Sequence, residues 1–271
     1  MITTMNILDE IAAKTRERIA EQKKKISPRQ MHEKADKAAS EGTVPSFLEA
    51  LKKPGISFIC EVKKASPSKG LIAPDFPYLQ IAKEYEAAGA SAISCLTEPH
   101  WFLGKDEYLQ EITSEVSIPV LRKDFTIDEY MVDQARAFGA SAVLLICAIL
   151  TPDEIRKYKT RAEELGMNAL VEAHNAEEIR TAIECEAKII GVNNRNLKDF
   201  TVDTDNTKRL IDLIPDDTVF VSESGIKTSE DVQKLREMGA DAVLIGETLM
   251  RAEDKKARLK ELASLQLRTY T

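Results

Sequence analysis

The chain has 271 residues, 43% apolar and 31% charged, the balance of a soluble folded protein rather than a disordered one. Its net charge of -7 argues against a general nucleic-acid binder, which needs clustered Lys and Arg, yet leaves room for a small anion held by a few local lysines. No apolar run approaches the roughly eighteen residues of a membrane span, and the N-terminal "MITTMNILDEIAAKTRERIAEQKKK" has no signal-peptide core, so a cytoplasmic protein without membrane contact is expected.

Residues 1–50 precede the first strand candidate. Met5, Leu8, Ile11, Ala12, Thr15 and Ile19 mark one helical stripe, and "SFLEAL" (Ser46 to Leu51) reads as a short helix stopped by Pro54-Gly55. The pattern alone leaves open whether this extension plugs the bottom of the fold or covers its top. Eight strand candidates follow, near 56–62, 91–96, 117–121, 141–146, 167–172, 187–192, 217–222 and 241–245. Between them lie helical patterns. "YLQIAKEYEAAG" places Leu79, Ala82, Tyr85 and Ala88 on one face. "TPDEIRKYKTRAEELG" opens with Thr151 as N-cap and Pro152 at the first helical position, and "NAEEIRTAIE" and "TSEDVQKLREMG" open with similar caps.

Three of these units repeat one design, "AGASAISCL", "FGASAVLLI" and "MGADAVLIG": a helix end, a capping Gly, then an apolar strand. Strands alternating with helices predict βαβ units and a parallel sheet. Eight units, with no G-x-G-x-x-G after any strand, predict an α/β fold of the (β/α)8 barrel type, one domain over residues 1–271 with 1–50 as a helical N-terminal extension. The four cysteines are far apart, without metal-ligand or redox spacing, and read as packing residues.

In a barrel enzyme the chemistry sits at the C-terminal ends of the strands. Those positions carry Glu61 and Lys63 with Ser66 beyond them, Thr97-Glu98, Lys123-Asp124, Glu172 with His174, Asn193-Asn194-Arg195, Ser222-Glu223-Ser224-Gly225, and Gly246-Glu247. Charged and amide groups converging from these strand ends point across one mouth. Glu98 and Asp124 read as salt-bridge or loop-fixing residues, and His174 reads equally as structural or catalytic. The turns after strands seven and eight, "SESGI" and "GETLM", suit a phosphate held by backbone N–H groups, so a phosphorylated small molecule is the expected partner. Two lysines beside two glutamates suggest acid–base work on a carbonyl compound, with a lysine pKa lowered by desolvation and a neighbouring cation; a Schiff base on lysine is equally open.

"EVKKASPSKG", "LRKDF", "VEAH", "GVNNRNL", "VSESGI" and "LIGETLM", in that order at those strand ends, resemble the indole-3-glycerol phosphate synthase family over nearly the whole chain. The resemblance implies conversion of 1-(2-carboxyphenylamino)-1-deoxyribulose 5-phosphate into indole-3-glycerol phosphate, carbon dioxide and water, with no metal and no organic cofactor. It also places the N-terminal extension over the barrel mouth. By the same resemblance Lys123 is the general acid and Glu172 the general base. Lys63 is the second cation, steering the substrate or donating the proton that lets hydroxide leave, and Glu61 holds the lysines in register. Asn193 orients the substrate, Ser66 and Arg195 address its carboxylate end, and Phe102 is the aromatic of the strand-two loop. Ser224, Gly225, Gly246 and Glu247 form the phosphate cradle.

Two positions depart from the family pattern. Glu247 stands where a small donor is usual, so that only its backbone N–H is assigned to phosphate, and Lys105 replaces a small polar residue. No fused second enzyme is expected after the eighth unit, and the protein is expected to be a monomer. Two rival readings stand beside the synthase: a Schiff-base aldolase using Lys63 or Lys123, and a catalytically silent barrel that binds a phosphorylated ligand.

Overall fold

The apolar runs are short, rich in Val, Ile, Leu and Ala, and unbroken by charge until their ends, the pattern of strands buried on both faces. The computed structural model describes residues 7–196 and 200–265. In it these runs form barrel strands β1 (Ser57–Val62), β2 (Ala92–Leu96), β3 (Val120–Lys123), β4 (Ala142–Ile146), β5 (Asn168–Ala173), β6 (Ile189–Asn193), β7 (Val219–Glu223) and β8 (Ala242–Ile245). All pair in parallel with their sequence neighbours, and β1 closes on β8 through Ser57 opposite Ala242 and Cys60 opposite Ile245. The fold is a (β/α)8 barrel.

The third strand starts later than the sequence suggests. Val116 N–H still bonds back to Ile112 of the preceding helix, Ser117 N–H is taken by Glu86, and Pro119 has no N–H to give. Regular pairing therefore begins at Val120 and carries Lys123 to the strand's end.

Side chains alternate along a strand, so each strand sends every second residue into the barrel. Ile59, Leu121, Leu144, Leu170, Val221 and Leu244 form the interior core. Two residues further toward the C-terminal end, the same parity brings Glu61, Lys123, Ile146, Glu172, Glu223 and Gly246 to the mouth. The register that builds the core thus aims the polar groups.

The outer helices start where the caps require. Thr151 and Glu154 form a capping box before Pro152–Glu164, Asn175 caps Ala176–Glu184, and Thr228 with Asp231 caps Ser229–Glu237. In the repeated helix-to-strand joints Gly139 (φ 82°) and Gly239 (φ 101°) take the left-handed turn that ends each helix.

The N-terminal extension covers both ends of the barrel. Helix α1 (Ile7–Lys25) buries Leu8, Ile11, Ala12, Thr15 and Ile19, and Ile7, Leu8 and Ile11 reach the cavity at the mouth; Met5 lies outside the described residues. Helix α2 (Pro28–Glu41) lies on the barrel flank, where Arg136 donates to the carbonyls of Ala38 and Gly42. Helix α3 (Phe47–Leu51) seals the opposite end: the Asn168 side chain at the start of β5 accepts from Leu48 N–H, and Phe47 and Leu51 enter the interior core. Burying each such Leu or Ile contributes about 1.5–3 kcal/mol, which holds these helices to the barrel. No helix among the described residues is long and apolar enough to cross a membrane.

Candidate active site

A cavity of about 870 Å³ opens at the C-terminal ends of the strands, with α1 above it. The twelve residues to which the family resemblance gives site roles all line it, whereas Thr97, Glu98, Asp124, His174 and Asn194 do not. At its floor Lys123 Nζ lies 3.3 Å from Glu172 Oε2 and 3.8 Å from Glu223 Oε2. Glu61 and Lys63 form an ion pair on the adjacent wall, both side chains largely buried. Lys64 has the opposite parity, and its carbonyl accepts from Ile72 and Ala73 N–H, fixing the loop that carries Ser66.

Asn193 joins Glu172 to the turn after β7. Its amide donates to Glu172 Oε1 at 3.3 Å, while its carbonyl oxygen accepts from Arg195 N–H at 3.0 Å and from the Ser224 hydroxyl at 2.9 Å. The Arg195 guanidinium donates to the Phe200 carbonyl at 3.2 Å; Leu197, the last residue of that motif, lies outside the described residues. Glu98 is the loop-fixing residue of the strand-two loop. Its carboxylate accepts from the backbone N–H groups of His100, Trp101 and Phe102, which sets the Phe102 ring beside Phe125.

In the cradle Ser224 (φ 69°) and Gly225 (φ 86°) turn the chain after β7, and the Thr248 hydroxyl donates to the Ile226 carbonyl, tying the two turns together at 2.6 Å. Glu247 accepts from Arg251 at 3.0 Å and lies 3.7 Å from Lys69. Burial opposes ionisation, but those cations hold its carboxyl below the ordinary range, so its charge is neutralised beside the cradle. Gly246 has a second duty. A Cβ there would run into the Glu61 carboxylate and come within 2.8 Å of Lys63 Nζ.

The electrostatics of the floor differ from the expectation of a depressed lysine. Burial works against the Lys123 charge, but Glu172, Glu223 and Glu61 outweigh it and hold the ammonium above the ordinary lysine value. Burial likewise pushes against Glu172, yet Lys123, His174 and Asn193 keep its carboxyl below the ordinary range. Glu223 takes the opposite shift: burial first and then the Glu172 charge push it up to about 8, against the pull of Lys123.

In the sequence Glu223 reads only as part of a strand-end run, with no role of its own, because that run is taken as a phosphate cradle. It is buried, and its Oε1 has no hydrogen-bond partner among the described residues. A signal existed in the neighbouring strand. Gly191 interrupts the apolar run of β6, and a Cβ there would collide with Glu223 Oε1.

The arrangement places an ammonium between carboxylates at one end of the cavity and a neutral backbone cradle with flanking cations at the other. It suits proton donation to, and removal from, a phosphorylated substrate spanning the two. Among the described residues no group of three or more His, Cys, Asp or Glu side chains could hold a metal ion.

Two solved structures with the same fold are distant from this chain in sequence. A thiamine phosphate pyrophosphorylase from Pyrococcus furiosus superimposes with TM-score 0.62 at 16% identity, covering 83% of this chain and all of that one. A 3-hexulose-6-phosphate synthase from Salmonella typhimurium gives 0.61 at 15%, covering 79% and 99%. At those identities the likeness speaks for the barrel alone. Sequence relatives are much nearer. An indole-3-glycerol phosphate synthase from Ruminiclostridium cellulolyticum is 54% identical over 94% of this chain and 98% of its own length, and one from Lacticaseibacillus paracasei 53% over 95% and 100%. The sequence model described as indole-3-glycerol phosphate synthase matches residues 8–262, a span that contains every strand of the barrel and every residue of the cavity floor, and the chain belongs to that family.

Proposed function

We propose that this mouth closes the indole ring of its substrate by acid–base catalysis, with Lys123 as general acid and Glu172 as general base. As a member of the synthase family the chain is a decarboxylating lyase. Its substrate in this reading is 1-(2-carboxyphenylamino)-1-deoxyribulose 5-phosphate, seated with its phosphate against Ser224, Gly225 and Gly246 and its carboxylate end toward Ser66 and Arg195. The Lys123 ammonium protonates the ribulose carbonyl oxygen as the aromatic carbon attacks. Loss of carbon dioxide restores the ring. Glu172 then removes a carbon-bound proton while a lysine, Lys123 or Lys63, protonates the departing hydroxyl.

The observation that carries this assignment is the 3.3 Å contact between Lys123 Nζ and Glu172 Oε2 at the cavity floor. It sets acid and base within reach of one substrate atom pair, and the surrounding carboxylates keep the lysine charged. The same charge speaks against the aldolase reading, since a Schiff-base lysine must be neutral to attack. In this reading the protein is a monomer that acts in the cytoplasm without an organic cofactor.

The test is direct. Purified protein, without added metal, is mixed with the substrate and indole fluorescence is followed. Turnover that vanishes in Lys123→Ala while substrate still binds is the expected result. Near-normal turnover in that variant overturns the assignment.

A further inference from the structure

His174 is a mostly buried titratable group that the scheme above leaves unused. It stands two residues beyond Glu172, just before the helix Ala176–Glu184, with its side chain 15% exposed. Nε2 lies 3.3 Å from Glu172 Oε1, and Nδ1 lies 3.1 Å from Glu178 Oε2. Glu178 is itself fixed: Oε2 accepts from His174 N–H at 2.8 Å, and Oε1 accepts from the Asn175 amide at 2.7 Å. The imidazole is therefore clamped between two carboxylates.

Behind it lies a second cavity of about 580 Å³, which His174 and Glu178 line from one side and Asp203 and Arg209 from the other. Asp203 and Arg209 pair with each other at 2.6 Å, and Asn206 donates to the His174 carbonyl. Asn193 and Arg195 line both cavities and form the wall between them. The charged groups around the ring are thus Glu172 and Glu178 in contact with it, and Arg195 and the Asp203–Arg209 pair across the cavity that it lines. Burial opposes the imidazolium, but Glu172 and Glu178 push its pKa up to about 10, so the ring carries two N–H protons at neutral pH.

Resting on the synthase reading, the chemistry requires a proton from outside. The bond to the carboxylate breaks and its electron pair returns to the ring, while the carbonyl oxygen must gain two protons to leave as water. Glu172 recovers one proton from a substrate carbon. The other is replaced from solvent once in every turnover.

We propose that His174 positions Glu172 and admits this proton from the second cavity. In the step, the Nε2–H bond breaks and an O–H bond forms on Glu172 Oε1. The carboxyl, turned about its Cγ–Cδ bond, passes the proton to the neutral Lys123 amine on its other side. The imidazole regains a proton from water in the second cavity by turning about Cβ–Cγ. Nε2 is close to Glu172 but out of hydrogen-bond alignment, so a small ring rotation precedes transfer.

Single-turnover rates of wild type, His174→Gln and His174→Ala, measured with the substrate in H₂O and D₂O, test the route. The expected result is a rate lowered roughly tenfold or more with substrate affinity unchanged, a larger solvent isotope effect, and recovery of His174→Ala on adding imidazole to the buffer. Variants as fast as wild type at every pH overturn the relay while the synthase reading stands. So does a loss that imidazole does not restore and that keeps the wild-type isotope effect, since that marks a structural role. Absence of turnover in wild type overturns both.

Discussion

Arg18 of α1 donates to Asp124 at 2.8 Å, one residue beyond Lys123. Asp124 is fully buried; its second oxygen, Oδ2, accepts from the Thr97 hydroxyl at 2.6 Å and lies 3.7 Å from Arg122. The extension is thereby bolted to the strand that carries the proposed acid. Arg18→Ala removes a charged hydrogen bond, a loss of about 1.5–3 kcal/mol, and a Tm drop of roughly 3–10 °C is expected. Burial alone would raise the Asp124 carboxyl, but Arg18 and Arg122 outweigh it and hold it below its ordinary 3.8. The unfolded chain thus binds that proton more readily than the folded one. The ion pair's contribution is whole above the unfolded value and is lost as pH falls through the lower folded one. Acid unfolding followed by circular dichroism is expected to show the wild-type advantage over Arg18→Ala shrinking below about pH 4.

The Lys123–Glu172 contact makes the two residues titrate together. Glu172→Gln removes the strongest favourable charge on Lys123, so the lysine pKa falls in that variant. Its turnover is expected to drop by about 100-fold or more, in keeping with the loss of a general base. Borohydride added with substrate is expected to trap no adduct on wild type. Mass spectrometry showing a reduced adduct on Lys123 or Lys63 would instead establish the aldolase chemistry.

Gly246 separates space from phosphate binding. Because a Cβ there collides with the Glu61 carboxylate, Gly246→Ala must displace the Glu61–Lys63 pair even if its backbone N–H still meets phosphate. The expected phenotype is kcat lowered by about tenfold or more, with inorganic phosphate binding by calorimetry nearly unchanged. Equal loss of both would assign Gly246 to the cradle alone.

How much of this was legible in the sequence follows from where the information lay. The inward parity that sends Ile59, Glu61 and Lys63 to one side is local, so the candidate residues could be named from strand ends alone. The sign of the Lys123 shift is not local: it depends on Glu61, Glu172 and Glu223 meeting from β1, β5 and β7, far apart in the chain. The placement of α3 at the opposite end from α1 is likewise a tertiary fact, since both helices present similar apolar stripes. Glu223 was hidden because its run matched a phosphate turn, and the space it needs is recorded one strand away, at Gly191.

Glu223 gives the most distinctive pH signature. Burial and the Glu172 charge push its carboxyl up to about 8, from an ordinary 4.5, with Lys123 pulling the other way. The folded state therefore holds a proton that the unfolded state has released, across the interval between those values. Stability falls as pH rises through that window, because ionising Glu223 costs more in the folded protein than in the unfolded one. Glu223→Gln keeps the shape and removes the titration. Its Tm measured from pH 5 to pH 9 is expected to lose that decline and to exceed wild type most at the alkaline end. It also leaves Glu172 as the nearest carboxylate to Lys123, so the Lys123 pKa falls and the alkaline limb of the rate profile moves to lower pH. A Tm profile parallel to wild type would show that Glu223 is ionised throughout, shielded by Lys123, and would return the residue to a purely electrostatic role at the cavity floor.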